Sequence, residues 1–254
     1  MPEGPSIVIL KEEVRQFEGK EIIDVAGNTS IDIERLRNKT IHAFKSWGKH
    51  FLICFDGFTA KIHMLMFGTY RINERKESPP RLSLIFLDGE INFYTCSIKF
   101  LEGDVNDYYD WSRDVMSEKW DSLKAKNSLG KIPNQMICDA LLEQDIFSGV
   151  GNIIKNEVLY RCKIHPESLV GKIPIKDIER LIEESVIYSF QFLDWKKNYE
   201  LKKHWKAHTK ITCERCDLPF IKKYTGVKKR RSFFCTNCQK LYDEKGNASG
   251  LLQF

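Results

Sequence analysis

Cys213-Glu214-Arg215-Cys216 and Cys235-Thr236-Asn237-Cys238 decide how one end of this chain folds. Each is a Cys-x-x-Cys pair, and 18 residues separate the two. Two tight turns that each offer two thiolates match a tetrahedral four-cysteine zinc site. Cys213, Cys216, Cys235 and Cys238 are therefore the expected ligands of a structural Zn2+, whose binding energy is folding energy. Between the pairs, residues 220–224 and 232–234 read as the strands of a hairpin. Lys228-Lys229-Arg230-Arg231 falls at its tip, placed to grip phosphates. Zinc modules also serve as plain structure or bind protein, so this stretch alone supports binding and not catalysis. Cys54, Cys96, Cys138 and Cys162 are scattered among apolar neighbours and read as core residues.

Charge distribution sharpens that reading. The net charge is +5, but residues 195–240 hold 14 Lys and Arg against 3 Asp and Glu. The rest of the chain is net acidic, and a basic end on an acidic body points to a polyanion partner. A solvated lysine-rich surface is the competing explanation, which the embedded cysteine pairs weaken. The 254 residues allow two modest domains or one large one. Their 42% hydrophobic content is enough for a core, and no apolar run reaches membrane-spanning length. The start, MPEGPSIVILKEEV, has no basic leader before its short apolar run. The expected compartment is the reducing cytoplasm, where clustered cysteines bind metal rather than form disulfides.

Ile7, Val8, Leu10, Val14 and Phe17 recur at helical spacing before Gly19 stops the pattern. Short runs rich in β-branched and aromatic residues follow, at 21–25, 40–47, 50–55, 59–64, 68–72, 82–87 and 91–94. Many short strands at regular spacing suggest an antiparallel sandwich or barrel. From Asn134 the pattern turns helical, and a basic linker over 196–210 leads to the cysteines.

Within the helical part, Ser148-Gly149-Val150-Gly151-Asn152 places a glycine turn between two apolar stretches. Gly149 and Gly151 permit close backbone approach, and the next helix would point free N–H groups at a phosphate. Asn152, at the start of that helix, would add its amide. An ordinary capping turn remains open as the alternative. At the other end, removal of Met1, expected before a small residue, makes Pro2 a free secondary amine. Its pKa would lie near the α-amino range of about 7.7–8.0, leaving a neutral, nucleophilic fraction at physiological pH. Glu3 follows as a proton donor or acceptor. A Met-Pro start without catalytic meaning is the plainer reading.

Taken together, these features resemble the formamidopyrimidine-DNA glycosylase/endonuclease VIII family across essentially the whole chain. The resemblance rests on Met-Pro-Glu-Gly-Pro, on Trp47-Gly48-Lys49 and on His63-Met64-Leu65-Met66-Phe67-Gly68. It rests equally on Gly149-Val150-Gly151-Asn152 with Glu157 beyond it, and on the cysteine hairpin carrying Arg230-Arg231-Ser232-Phe233-Phe234-Cys235. It implies an α+β multidomain fold. An amino-terminal helix and antiparallel β-sandwich would occupy 1–125, and a helix–two-turn–helix domain 126–210. A zinc-finger β-hairpin would occupy 211–242 and a tail 243–254.

The resemblance also implies base-excision repair by a DNA glycosylase with AP-lyase activity on damaged double-stranded DNA, expected as a monomer without a membrane partner. Pro2 would be the nucleophile and Glu3 its acid. Lys49 and Arg230 would contact the phosphates beside the lesion, and Glu157 would support them from its helix. Asn152, Gly149, Gly151 and Arg231 would bind the backbone. Leu65, Met66 and Phe67 would fill the space of the extruded base, where a buried core strand is the alternative for that trio.

Two departures point to the endonuclease VIII branch and oxidised pyrimidines. Ser6 stands where many members carry glutamate, and Ile98 where 8-oxoguanine-directed members carry arginine. The segment 205–212 also lacks the glycines common before the first zinc cysteine. The same chemistry on 8-oxoguanine and formamidopyrimidines, or a non-catalytic zinc-containing DNA-binding protein, are the other readings.

Overall fold

Gly4–Glu13 forms helix α1, with a proline in its first turn where the missing N–H costs nothing. Ile7 and Leu10 are buried, and Val14 and Phe17 continue the buried stripe through a 3₁₀ turn. The structure, a computed structural model, describes residues 2–244, so the expected tail lies outside the described residues from position 245 onward. The chain divides into two compact units, Met1–Asp110 and Trp111–Phe254.

The first unit is built on six antiparallel strands. These are β1 (Asp24–Ala26), β2 (Ala43–Trp47), β3 (His50–Cys54), β4 (Phe58–Ile72), β5 (Leu82–Phe86) and β6 (Gly89–Glu102), in the order β1-β5-β6-β4-β3-β2. The runs at 59–64 and 68–72 are one strand, β4, interrupted by a shift of register. Met64 pairs with Cys96 and Thr69 with Tyr94, so Leu65, Met66, Phe67 and Gly68 stand opposite Thr95 alone. One half of β4 and β6 continues into β3 and β2, and the other half into β5 and β1. Phe51 of β3 and Phe93 of β6 meet at 5.9 Å between ring centroids and belong to one buried cluster with α1. The sandwich thus arises from one continuous sheet. The expected run at 21–25 contributes only Asp24–Ala26, and Glu21 makes an isolated bridge to Thr40.

The second unit contains α2 (Ser122–Gly130), α3 (Ile137–Ala140), α4 (Asn152–Cys162) and α5 (Ile175–Lys197), then the hairpin β7 (Ile221–Thr225) and β8 (Arg230–Phe234). The unit boundary falls at Asp110 rather than at 125, because Val115, Trp120 and Ala125 pack with the helices. The four-cysteine hairpin and the helices form one unit. Tyr160 of α4 packs with Ala207, Phe220 and the four paired cysteines in a cluster of its own. Among the described residues no helix is long and apolar enough to cross a membrane.

Candidate DNA-contacting and catalytic residues

In the first unit, Pro2 is half-buried and immediately precedes α1. Glu3 takes the N-cap position in extended conformation, and its carbonyl accepts from the Ser6 N–H at 2.8 Å. The Glu3 residue is almost wholly buried, at 2% exposure. A carboxyl shielded from water is suited to giving or taking a proton. Lys49 lies in the two-residue loop that joins β2 to β3, because Trp47 and His50 are directly paired. Its carbonyl accepts from His63 Nδ1 at 3.2 Å, which ties the loop to β4 just before the shift of register. The Trp47 indole N–H donates to the Asp110 carbonyl at 3.0 Å, and His50 Nδ1 lies 3.2 Å from the Tyr109 hydroxyl. Burial keeps His63 below its ordinary value.

Leu65, Met66 and Phe67 are 44%, 56% and 80% exposed. That rules out the core-strand alternative for them. Three apolar side chains held outward by a strand irregularity have the form of a wedge. Ile98 pairs with Ile62 and is buried in the sheet core, and Ser6 is buried in the first turns of α1. Cys96, Cys138 and Cys162 are buried and Cys54 half-buried. Burial pushes the Cys96 thiol up to about 11 and the Cys162 thiol to about 12, as inert core residues require.

In the second unit, Gly149 has φ +96, a conformation that favours glycine. The Gln144 amide holds this turn. Its Nε2 donates to the carbonyls of Leu142 and Val150 at 3.1 Å each, and its Oε1 accepts from the Gly149 N–H at 3.2 Å. Gly151 is the N-cap of α4, and Asn152 opens the helix. The Asn152 Nδ2 donates to the Arg231 carbonyl at 3.0 Å, while its Oδ1 is buried without a hydrogen-bond partner. The second amide hydrogen of Nδ2 is what Asn152 has left for a phosphate.

Glu157 requires a correction. It is fully buried, and its carboxylate accepts the backbone N–H groups of Lys206, Ala207 and His208 at 2.9, 2.9 and 2.7 Å. Burial raises its pKa, opposed by those three bonds. Glu157, expected among the catalytic residues, therefore has its carboxylate committed to the linker that leads to Cys213. The linker itself begins later than position 196, because α5 runs to Lys197.

Arg230 starts β8 opposite Thr225, and Arg231 donates through Nη2 to the Tyr224 hydroxyl at 2.8 Å. The turn before them is held by Asp139, a buried acid of α3 that the sequence reading missed. Its carboxylate accepts from the Val227 N–H at 2.7 Å and the Lys228 N–H at 3.2 Å. Lys228 Nζ pairs with Glu143 at 3.0 Å. The only sequence signal for Asp139 was a single acid inside the apolar run Ile137-Cys138-Asp139-Ala140-Leu141-Leu142. Lys155 and Asn156, beside Asn152 on α4, were missed as well.

The four cysteine sulfurs lie within 4.8 Å of one another, and Cys213 Sγ is 3.7 Å from Cys238 Sγ. A tetrahedral ion with metal–sulfur bonds of about 2.3 Å needs sulfurs roughly 3.8 Å apart. The donor set therefore fits a tetrahedral metal. Asn237 Nδ2 donates to Cys216 Sγ at 3.2 Å, the kind of outer bond that orients a thiolate ligand.

A helix and antiparallel sheet in the first unit, and helices joined to a four-cysteine hairpin in the second, define an α+β class of fold. Known proteins narrow it. Residues 1–100 match the formamidopyrimidine-DNA glycosylase N-terminal domain, and residues 112–188 match the formamidopyrimidine-DNA glycosylase H2TH domain. A formamidopyrimidine-DNA glycosylase of Mycoplasma genitalium is 30% identical over 250 residues, covering 88% of this chain and 76% of that protein. Endonuclease 8-like 3 of Mus musculus is 28% identical over 216 residues, 81% of this chain but 36% of that protein. The chain thus spans little more than a third of the length of that relative. A Lactococcus lactis formamidopyrimidine-DNA glycosylase, solved with DNA containing an AP site, has the same fold. Its TM-score is 0.83 at 24% identity, over 94% of this chain and 99% of that one. The chain belongs to the formamidopyrimidine-DNA glycosylase/endonuclease VIII family.

Proposed function

We propose that this chain is a base-excision repair DNA glycosylase with AP-lyase activity, acting on oxidised bases in double-stranded DNA. The observation that carries the reading is Pro2 directly ahead of α1 and followed at once by Glu3, whose residue is buried. With Met1 removed, neutral Pro2 attacks C1′ of the damaged nucleotide. The glycosidic electron pair leaves with the base, which takes up the proton released from the Pro2 nitrogen, and the protonated Glu3 carboxyl gives its proton to the ring oxygen as the sugar opens. The result is an iminium between Pro2 and C1′. Loss of the C2′ proton then expels the 3′ phosphate, and a second elimination expels the 5′ phosphate. Lys49 and Arg230 hold the flanking phosphates, Asn152 and Arg231 the backbone, and Leu65, Met66 and Phe67 replace the extruded base. Zn2+ is the metal proposed for the four cysteines, and its work is structural. The enzyme would act as a monomer in the cytoplasm.

Oxidised pyrimidines are the proposed substrates. Ile98, where 8-oxoguanine-directed members carry arginine, turns into the sheet core and offers a base no hydrogen bond. Duplexes carrying thymine glycol or 8-oxoguanine test both parts. Cleavage leaving phosphate on both new ends, faster at thymine glycol, is expected. Faster cutting at 8-oxoguanine would overturn the substrate choice, and no cutting of either duplex would overturn the activity.

A further inference from the structure

Lys155 lies one turn into α4 and is fully buried. Its Nζ donates to the Ser232 hydroxyl at 2.9 Å and to the Arg231 carbonyl at 3.3 Å. Ser232 Oγ is in turn 2.6 Å from Thr225 Oγ1 on the opposite strand. The same Arg231 carbonyl accepts from Asn152 Nδ2 at 3.0 Å and Asn156 Nδ2 at 3.2 Å. The Asn156 Oδ1 also accepts from the Phe233 N–H at 3.2 Å. Positions 152, 155 and 156 share one face of the helix, and all three converge on β8 at Arg231.

Two amides would satisfy the two lone pairs of a carbonyl. The ammonium is a third donor, and an expensive one. Burying it is costly, and it stands near the positive end of the helix. Its return is rigidity, because a charge-assisted bond holds the strand more tightly than an amide does. We propose that Lys155 is a positioning residue for the phosphate grip. It fixes the β8 backbone at Arg231 and Ser232, and so sets the directions in which Arg230 and Arg231 leave the hairpin relative to the Asn152 amide. Lys155 touches no phosphate itself. The inference rests on the DNA-binding reading given above.

Its test is a double-mutant cycle on the full chain, with binding measured to a duplex carrying a tetrahydrofuran abasic analogue. Arg230→Ala is expected to weaken binding about tenfold in the wild-type background and less than about threefold beside Lys155→Met. The slope of log affinity against log salt should shrink by about 0.9 in Lys155→Met, as for one lost phosphate contact, although Lys155 is buried. Independent, multiplying effects with an unchanged slope would overturn the proposal, since a merely structural residue gives that result. Should Lys155→Met lose its fold or metal, Lys155→Gln carries the same cycle. Its amide keeps a donor on the same side chain, so the effect of Arg230→Ala should fall between its values in the wild-type and Lys155→Met backgrounds. Full coupling loss with a native salt slope in Lys155→Gln would count against the idea. A wild-type chain that binds no DNA would instead sink the parent reading.

Discussion

Asp139 shows how far one buried acid reaches. Its carboxylate holds the hairpin turn that precedes Arg230, and Gly226 makes that approach possible. Gly226 has φ +69, and a Cβ added there would lie 2.1 Å from Asp139 Oδ2. Gly226→Ala should therefore destabilise the chain by about 1–3 kcal/mol and weaken DNA binding, read by thermal melting and by titration. A fully stable variant with native affinity would contradict this anchoring. The four-cysteine cluster was legible because its Cys-x-x-Cys spacing marks it, and Lys49 and Arg230 were singled out by the family resemblance. Asp139, Lys155 and Asn156 were not, because their hairpin partners, mostly backbone atoms, lie some 75–90 positions away and no local pattern marks them. His50 supplies a pH dependence. Burial first, then the charges of Lys61, His63 and Lys49, hold it down at about 4, against about 6.5 in an unfolded chain. Between those values the unfolded chain binds a proton that the folded chain refuses. Its contribution to stability is thus complete above about pH 6.5 and is lost as pH falls toward 4. The melting temperature should drop across that window, and His50→Gln should flatten the drop. Equal slopes in both proteins would show that His50 has no part in it.

Strand β4 illustrates what periodicity conveys and what it hides. Its two halves were visible as separate alternating runs at 59–64 and 68–72. Their union was not, because the register is set across the sheet by β6. The four residues opposite Thr95 are what turn Leu65, Met66 and Phe67 outward, so their apolar character alone left a core strand open as the alternative to a wedge. Phe67, 80% exposed, is the sharper probe. Phe67→Ala should change stability by less than about 0.5 kcal/mol. It should slow excision of thymine glycol by roughly tenfold or more, since an unstacking cost of a few kcal/mol goes unrepaid. A large loss of stability with an unchanged excision rate would return the trio to the core. Helix α4 was read from its glycine turn, yet its buried Glu157 holds the linker through three backbone bonds. A motif gave the position of that carboxylate, and only its three backbone bonds gave its work.

The two compact units divide the proposed labour. Met1–Asp110 carries Pro2, Glu3, Lys49 and the exposed trio, and Trp111–Phe254 carries the glycine turn, Arg230 and the four cysteines. The order β-rich, helical, hairpin was legible in the sequence. The boundary was misplaced by about fifteen residues, because the segment after Asp110 has little periodicity of its own and folds by burying Val115 and Trp120 among helices that come later. The chemistry proposed for this chain depends on the amine at Pro2. Borohydride reduction during incubation with abasic-site duplex, followed by peptide mass spectrometry, examines that amine itself. The expected result is a covalent DNA adduct whose mass maps to the Pro2 nitrogen of a chain lacking Met1. An adduct on a lysine with Pro2 unmodified, or no adduct under conditions where the duplex is bound, would contradict it.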